Sequence, residues 1–178
     1  MRNATVWLDV APAAHRAGVK GPRAAALLGE LGLNVPRVAN SWSPLKPADR
    51  DDADNVIARL GNTEFFLEDA DSATVAALDA RCAAGEPGAY AALREDVALH
   101  VGGKAAPDAL AEVCNVDFAA LPAGKPIYLT LMIGVAVLVL PQPREDGRIF
   151  RIWCDPTFGT YLQDALHSVV TRIQSETS

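Results

Sequence analysis

Residues 19–30 read Val-Lys-Gly-Pro-Arg-Ala-Ala-Ala-Leu-Leu-Gly-Glu, and residues 101–112 read Val-Gly-Gly-Lys-Ala-Ala-Pro-Asp-Ala-Leu-Ala-Glu. Val19, Gly21, Leu28 and Glu30 match Val101, Gly103, Leu110 and Glu112 at one constant offset. In both stretches an extended apolar run meets a glycine and then a helix-forming run. Pro22 stands where a helix can begin, and Ala24, Leu27, Leu28 and Leu31 recur at three- and four-residue steps before Gly32 stops it. The spacing predicts helices over about 22–31 and 107–114, each entered from a strand.

Working outward, the same order of elements appears twice. Short extended pieces at 5–10 and 17–20 flank a polar bend holding His15 and Arg16. Asn55–Leu60 and Glu64–Leu67 form a hairpin around Gly61-Asn62. Asp71 or Ser72 caps a helix that Gly85 to Gly88 breaks. In the second half, strands are expected at 97–101, 127–132, 135–140 and 148–154, with a turn at Glu145-Asp146-Gly147 and a long amphipathic helix at 158–174. Phe65 and Leu67 precede their helix as Phe150 and Ile152 precede theirs, with a small insertion. The fold class is therefore α+β: duplicated strand, helix, strands, helix halves at 1–88 and 89–178, sharing one core in one compact domain. Residues 35–54, rich in proline and charge, are expected to be a surface excursion.

Composition narrows the function. Half of the residues are hydrophobic and 21% are charged, which suits a globular chain. The formal charge of -6 and pI near 5.0 give no electrostatic footprint for nucleic acid. The most apolar stretch, Ile127–Leu140, is shorter than the roughly 20 residues a spanning helix needs, and it is interrupted by Gly134. No membrane segment or leader is expected, and the location is expected to be cytoplasmic. Cys82, Cys114 and Cys154 are far apart and belong to no CxxC pair, so they read as small buried hydrophobes.

Residues able to do chemistry are sparse. His15, His100 and His167 have no carboxylate or cysteine at ligand spacing, and no metal site is expected. No hydrolase elbow, P-loop or dinucleotide fingerprint occurs. Gly18-Val-Lys-Gly21 could aim backbone N–H groups at an anion, or simply turn into a helix. The acids at Asp49, Asp51, Asp52 and Asp54, and at Glu145 and Asp146, sit in turn-like contexts that favour solvation. Trp42 and Trp153 lie where large aromatics either fill a core or anchor an interface. No catalytic residue is assigned, no cofactor-binding residue is identified, and Trp42, Trp153 and Tyr161 are the candidate partner contacts.

Read together, Arg16-Ala-Gly-Val-Lys-Gly-Pro22, Asn40-Ser-Trp42, Arg59-Leu-Gly-Asn-Thr-Glu-Phe65 and Phe150-Arg-Ile-Trp153 through Tyr161-Leu162 resemble the gamma subunit of heterotetrameric sarcosine oxidase. The likeness spans almost the whole chain. Leu60-Gly-Asn-Thr-Glu64 is similar to the Leu-Gly-Pro-Asp-Glu motif of the aminomethyltransferase superfamily, with Asn62 and Thr63 in place of its Pro and Asp. The resemblance implies the folate-binding fold of glycine-cleavage T-proteins. It also implies a small, non-catalytic subunit bound to larger flavoprotein chains of alpha and beta type in an oxidase of sarcosine or a related N-methyl amine. FAD, FMN, NAD and tetrahydrofolate are then expected on the partner subunits and none on this chain. The alternative is a stand-alone tetrahydrofolate-binding or one-carbon transferase domain using an acid such as Asp96 or Glu64, and a third reading is an anion-binding module at Gly18–Gly21.

Overall fold

A computed structural model describes residues 5–51, 53–144 and 147–176. The chain forms two compact units, and their boundary departs from the halves read in the sequence. One unit takes Pro12–Glu95 together with Lys125–Ile127, and the other takes Met1–Ala11, Asp96–Gly124 and Tyr128–Ser178. The first is nearly contiguous and lies, in sequence, inside the second. We call them the inserted unit and the split unit. Each has its own hydrophobic core.

The inserted unit holds β2 (His15–Lys20), α1 (Ala24–Glu30), β3 (Ser41–Pro44), β4 (Val56–Arg59), β5 (Glu64–Asp69), α2 (Ser72–Ala83) and β6 (Tyr90–Ala92). Its sheet runs β3-β4-β5-β2-β6 with every pair antiparallel. Ala17, Val19, Phe65, Leu67 and Ile57 point to one face, where they pack with Leu27 and Leu28 of α1 and Val75 and Leu78 of α2. The period-2 alternation of the strands and the 3.6 period of the helices meet there.

The split unit holds β1 (Trp7–Val10), β7 (Val97–Gly102), α3 (Ala106–Ala111), β8 (Tyr128–Met132), β9 (Val135–Arg144), β10 (Gly147–Cys154), a 3-10 turn (Pro156–Phe158) and α4 (Gly159–Glu176). Its sheet runs β1-β7-β10-β9-β8. Leu99, Val101, Val137, Val139, Phe150 and Ile152 pack with Leu110 of α3 and with Leu162, Leu166 and Val170 of α4.

The duplication holds at the level of register. Val19 pairs with Phe65 and Ala17 with Leu67, just as Val101 pairs with Phe150 and Leu99 with Ile152. Read from β3 and from β8, the sheets have the same strand order, and β6 and β1 close them. Each closing strand precedes one repeat in sequence but pairs with the other: β1 lies before β2 and joins β7, while β6 lies before β7 and joins β2. This exchange moves the boundary away from 88/89. Two further corrections follow from pairing. His15 and Arg16 lie within β2 and not on a bend, because they pair with Asp69 and Glu68. Residues 41–44 form the edge strand β3 within the expected excursion, an edge position that tolerates Pro44. Glu145 and Asp146 of the expected turn lie outside the described residues.

Candidate functional site

Gly21 and Gly103 end β2 and β7 at φ 123° and 102°, a backbone region that suits glycine. A Cβ on Gly21 would come within 2.5 Å of the Gly88 carbonyl oxygen, and one on Gly103 within 2.5 Å of the Thr5 oxygen. Two backbone bonds recur at both junctions. Arg23 N–H donates to Gly88 O and Ala105 N–H to Thr5 O, both at 2.8 Å. Gly21 N–H donates to Thr63 O at 2.9 Å, and Ala24 N–H to Gly21 O at 3.0 Å. These donors are consumed by backbone oxygens, so the Gly18–Gly21 stretch is a tight strand-to-helix turn and does not fit a phosphate or a dinucleotide.

The face of each sheet opposite its helices carries charged and amide side chains packed among aromatic rings. In the inserted unit, Arg16 Nε donates to the carboxylate of Glu68, and both side chains are largely buried. Arg94 Nη2 bonds Glu64 at 2.9 Å, and its guanidinium lies 5.9 Å from the centre of the Phe66 ring. Gly18 permits this approach, since a Cβ there would be 3.1 Å from Arg94 Nε. In the split unit, the buried Gln142 accepts at Oε1 from Arg144 Nη2 at 3.1 Å and from Arg151 Nη1 at 3.4 Å. The Arg151 guanidinium stacks 5.1 Å from the Trp153 ring centre. Guanidinium, amide and aromatic groups can position and neutralise charge, and the carboxylates of Glu64 and Glu68 are each held by an arginine. Sequence reading missed these groups because Glu68, Gln142 and Arg151 look like ordinary polar positions; the available signal was that a strand puts Arg151 on one face between Ile149 and Trp153.

The expected contact residues separate. Trp42 is 2% exposed, with its ring 5.4 Å below Lys125 Nζ, and Trp153 is 1% exposed. Both rings are covered within this chain itself, the core-filling one of the two roles open to them. Tyr161 is 54% exposed on α4, its hydroxyl donating to Ile133 O at 3.4 Å. The same unit exposes Leu129 and Leu131 on its edge strand β8, and Phe158 in the 3-10 turn.

Other candidates disperse. His15 and His167 are exposed, and His167 Nε2 lies 3.5 Å from Thr171 Oγ1. Glu64 is engaged by Arg94. Asp96 and Asp155 add to burial in holding the Cys154 thiol above its ordinary value. A shallow open depression of about 480 Å³ in the inserted unit is lined by Asp79, Cys82, Glu86, Pro87 and Tyr90, among others. Burial, Asp79 and Glu86 raise the Cys82 thiol pKa, so the thiol stays protonated near neutrality and is a poor nucleophile. Among the described residues no group of His, Cys, Asp and Glu could hold a metal, and no helix is long and apolar enough to cross a membrane.

No family model matches the sequence, and no curated protein matches it. Solved structures do match. A chain of the heterotetrameric sarcosine oxidase from Corynebacterium sp. U-96, solved with pyrrole 2-carboxylate, superposes with a TM-score of 0.75 at 19% identity, over 95% of this chain and 85% of that one. Aminomethyltransferase T of the glycine cleavage system from Bartonella henselae superposes with a TM-score of 0.69 at 16% identity, over 92% of this chain. This chain spans 45% of that protein's length. The two antiparallel sheets with their helices thus have the aminomethyltransferase-like fold of both neighbours.

Proposed function

We propose that this chain is a small gamma-type subunit of a heterotetrameric oxidase of the sarcosine oxidase kind. In this reading it serves assembly, while the oxidative demethylation of sarcosine or a related N-methyl amine takes place on larger alpha- and beta-type flavoprotein chains. The observation that carries the proposal is the match in extent: the fold aligns over 95% of this chain and 85% of a sarcosine oxidase chain, whereas it accounts for 45% of aminomethyltransferase T. The polar groups described above agree with it, because they are tied into structural pairs. FAD, FMN, NAD and tetrahydrofolate would be carried by the partners. Tyr161, Phe158, Leu129 and Leu131 offer exposed apolar area for those chains to cover.

The test is co-expression with the proteins encoded beside this one, followed by size-exclusion chromatography with mass detection. A stable, flavin-yellow hetero-oligomer containing this chain is the expected result. A colourless monomer under the same conditions overturns the proposal. In the complex, Tyr161→Arg is expected to weaken association at least tenfold with the isolated chain's melting temperature unchanged.

A further inference from the structure

The two units differ in how the chain closes them. In the inserted unit the strands β2 and β6 and everything between them come from one contiguous segment, supplemented only by Lys125–Ile127 at the edge of β3. In the split unit, β1 pairs with β7 through Trp7↔Gly102 to Val10↔Leu99, and Ala11 N–H donates to Ala98 O at 2.9 Å. The chain joining these two strands is the whole segment from residue 12 to residue 95. The split unit's junction glycine also depends on that closure, since Ala105 N–H is bonded to Thr5 O.

We infer that the inserted unit is a folded clasp for the split unit: it keeps its structure when the split unit opens, and it does not open while the split unit remains closed. The reason is loop entropy. With the inserted unit folded, β2 and β6 are paired, and the ends leading to β1 and β7 start close together. With it unfolded, β1 and β7 would have to stay paired across a disordered loop running from 12 to 95. For a loop near a hundred residues this disfavours the species by on the order of a thousandfold. The reverse intermediate, inserted unit folded and split unit open, carries no such cost. Opening therefore has a fixed order, split unit first.

Native-state hydrogen exchange of the full chain in low urea, read by peptide mass, tests this directly. Leu166→Ala opens a cavity in the core of the split unit and Leu28→Ala one in the core of the inserted unit. If the inserted unit opens only after the split unit, Leu166→Ala lowers protection in peptides of both units by the same factor, roughly a hundredfold. Leu28→Ala then lowers it only in peptides from 12–95. Independent units would confine each effect to its own peptides, and a single all-or-none transition would spread both effects everywhere; either result overturns the inference. Should the alanine variants fold poorly, Ile152→Val and Ile57→Val give the same readout at about fivefold. In the unmodified chain, split-unit amides must reach their opening limit at lower urea than those of β2, β4 and β5, and the opposite order also overturns the inference.

Discussion

In the inserted unit, Glu68 faces Arg16 across the β5–β2 ladder, and Phe66 faces Gly18. In the split unit the corresponding ladder places Trp153 opposite Ala98 and Arg151 opposite His100. Charge and aromatic ring have traded places, yet each unit keeps an arginine stacked on its ring, Arg94 on Phe66 and Arg151 on Trp153. On the helix-facing side nothing comparable has happened: Val19, Phe65 and Leu67 are answered by Val101, Phe150 and Ile152. That side must be filled to the density of a core, which allows little but similar apolar side chains. The other face is constrained by pairing and stacking, which many residue sets satisfy. The divergent face, not the repeated one, is where the two units acquired different properties.

The largest effect expected from disturbing this comparison is at Glu68. Glu68→Ala removes the buried carboxylate that Arg16 Nε bonds and should remove about 3 kcal/mol of stability, measured by urea unfolding. A loss below about 1 kcal/mol would show the pair to be effectively solvated, and the two divergent faces to be less different than their chemistry suggests. The shared junctions stand beside it. Gly21→Ala and Gly103→Ala should each cost about 3 kcal/mol, since both meet a backbone oxygen and both force a side chain to positive φ. Unequal losses would mean that one junction relaxes where its counterpart does not.

Helix entry offers a gentler comparison. Asp71 caps α2 by accepting from Ala73 N–H, and Asp155 caps the 3-10 turn before α4 by accepting from Thr157. Asp71→Ala should cost about 1 kcal/mol. For Asp155 the test is pH. The Thr157 hydroxyl and N–H bonds hold this carboxyl below its ordinary value of 3.8, so the cap contributes above that pH and its contribution fades as the pH falls through the lowered value. Melting temperatures of the parent and Asp155→Asn should differ near pH 6 and converge as the pH falls well below 3.8. A gap that persists at low pH would remove the carboxylate from the explanation. The smallest effect is at the surface, where Arg172 bridges Glu112 and Glu176. Arg172→Gln should leave the melting temperature unchanged within error, and a clear drop would make this exposed pair exceptional.

Much of this architecture was legible in residue order. Both junction glycines, the β4–β5 hairpin, the Asp71 cap and the long last helix follow from local chemistry, and Phe65/Leu67 against Phe150/Ile152 gave the register of the repeat. What was not legible depends on distant pairing. Nothing in Trp7–Val10 or in the three residues of β6 says which half they will join, because an edge strand needs only a free ladder and that ladder is set by the assembled sheet. Ser43-Pro44 read as a loop because proline ends ladders, yet at an edge its missing N–H costs little. The burial of Glu68, Gln142 and Arg151 is decided by partners remote in sequence, so residue order alone carries no sign of it. Trp42 and Trp153 drew attention as large aromatics, and their burial shows that size and position along the chain do not separate an anchor from a core residue.

The strand pair β8–β9 carries one more consequence. From Pro126 to Pro143 the chain has no charged residue, and β8 lies at a sheet edge with Leu129 57% and Leu131 62% exposed. Such a border has neither lysine nor glutamate to repel another copy's strand, so the purified chain should be prone to clump on concentration. A single lysine at Leu131 would act as a gatekeeper for handling the chain alone.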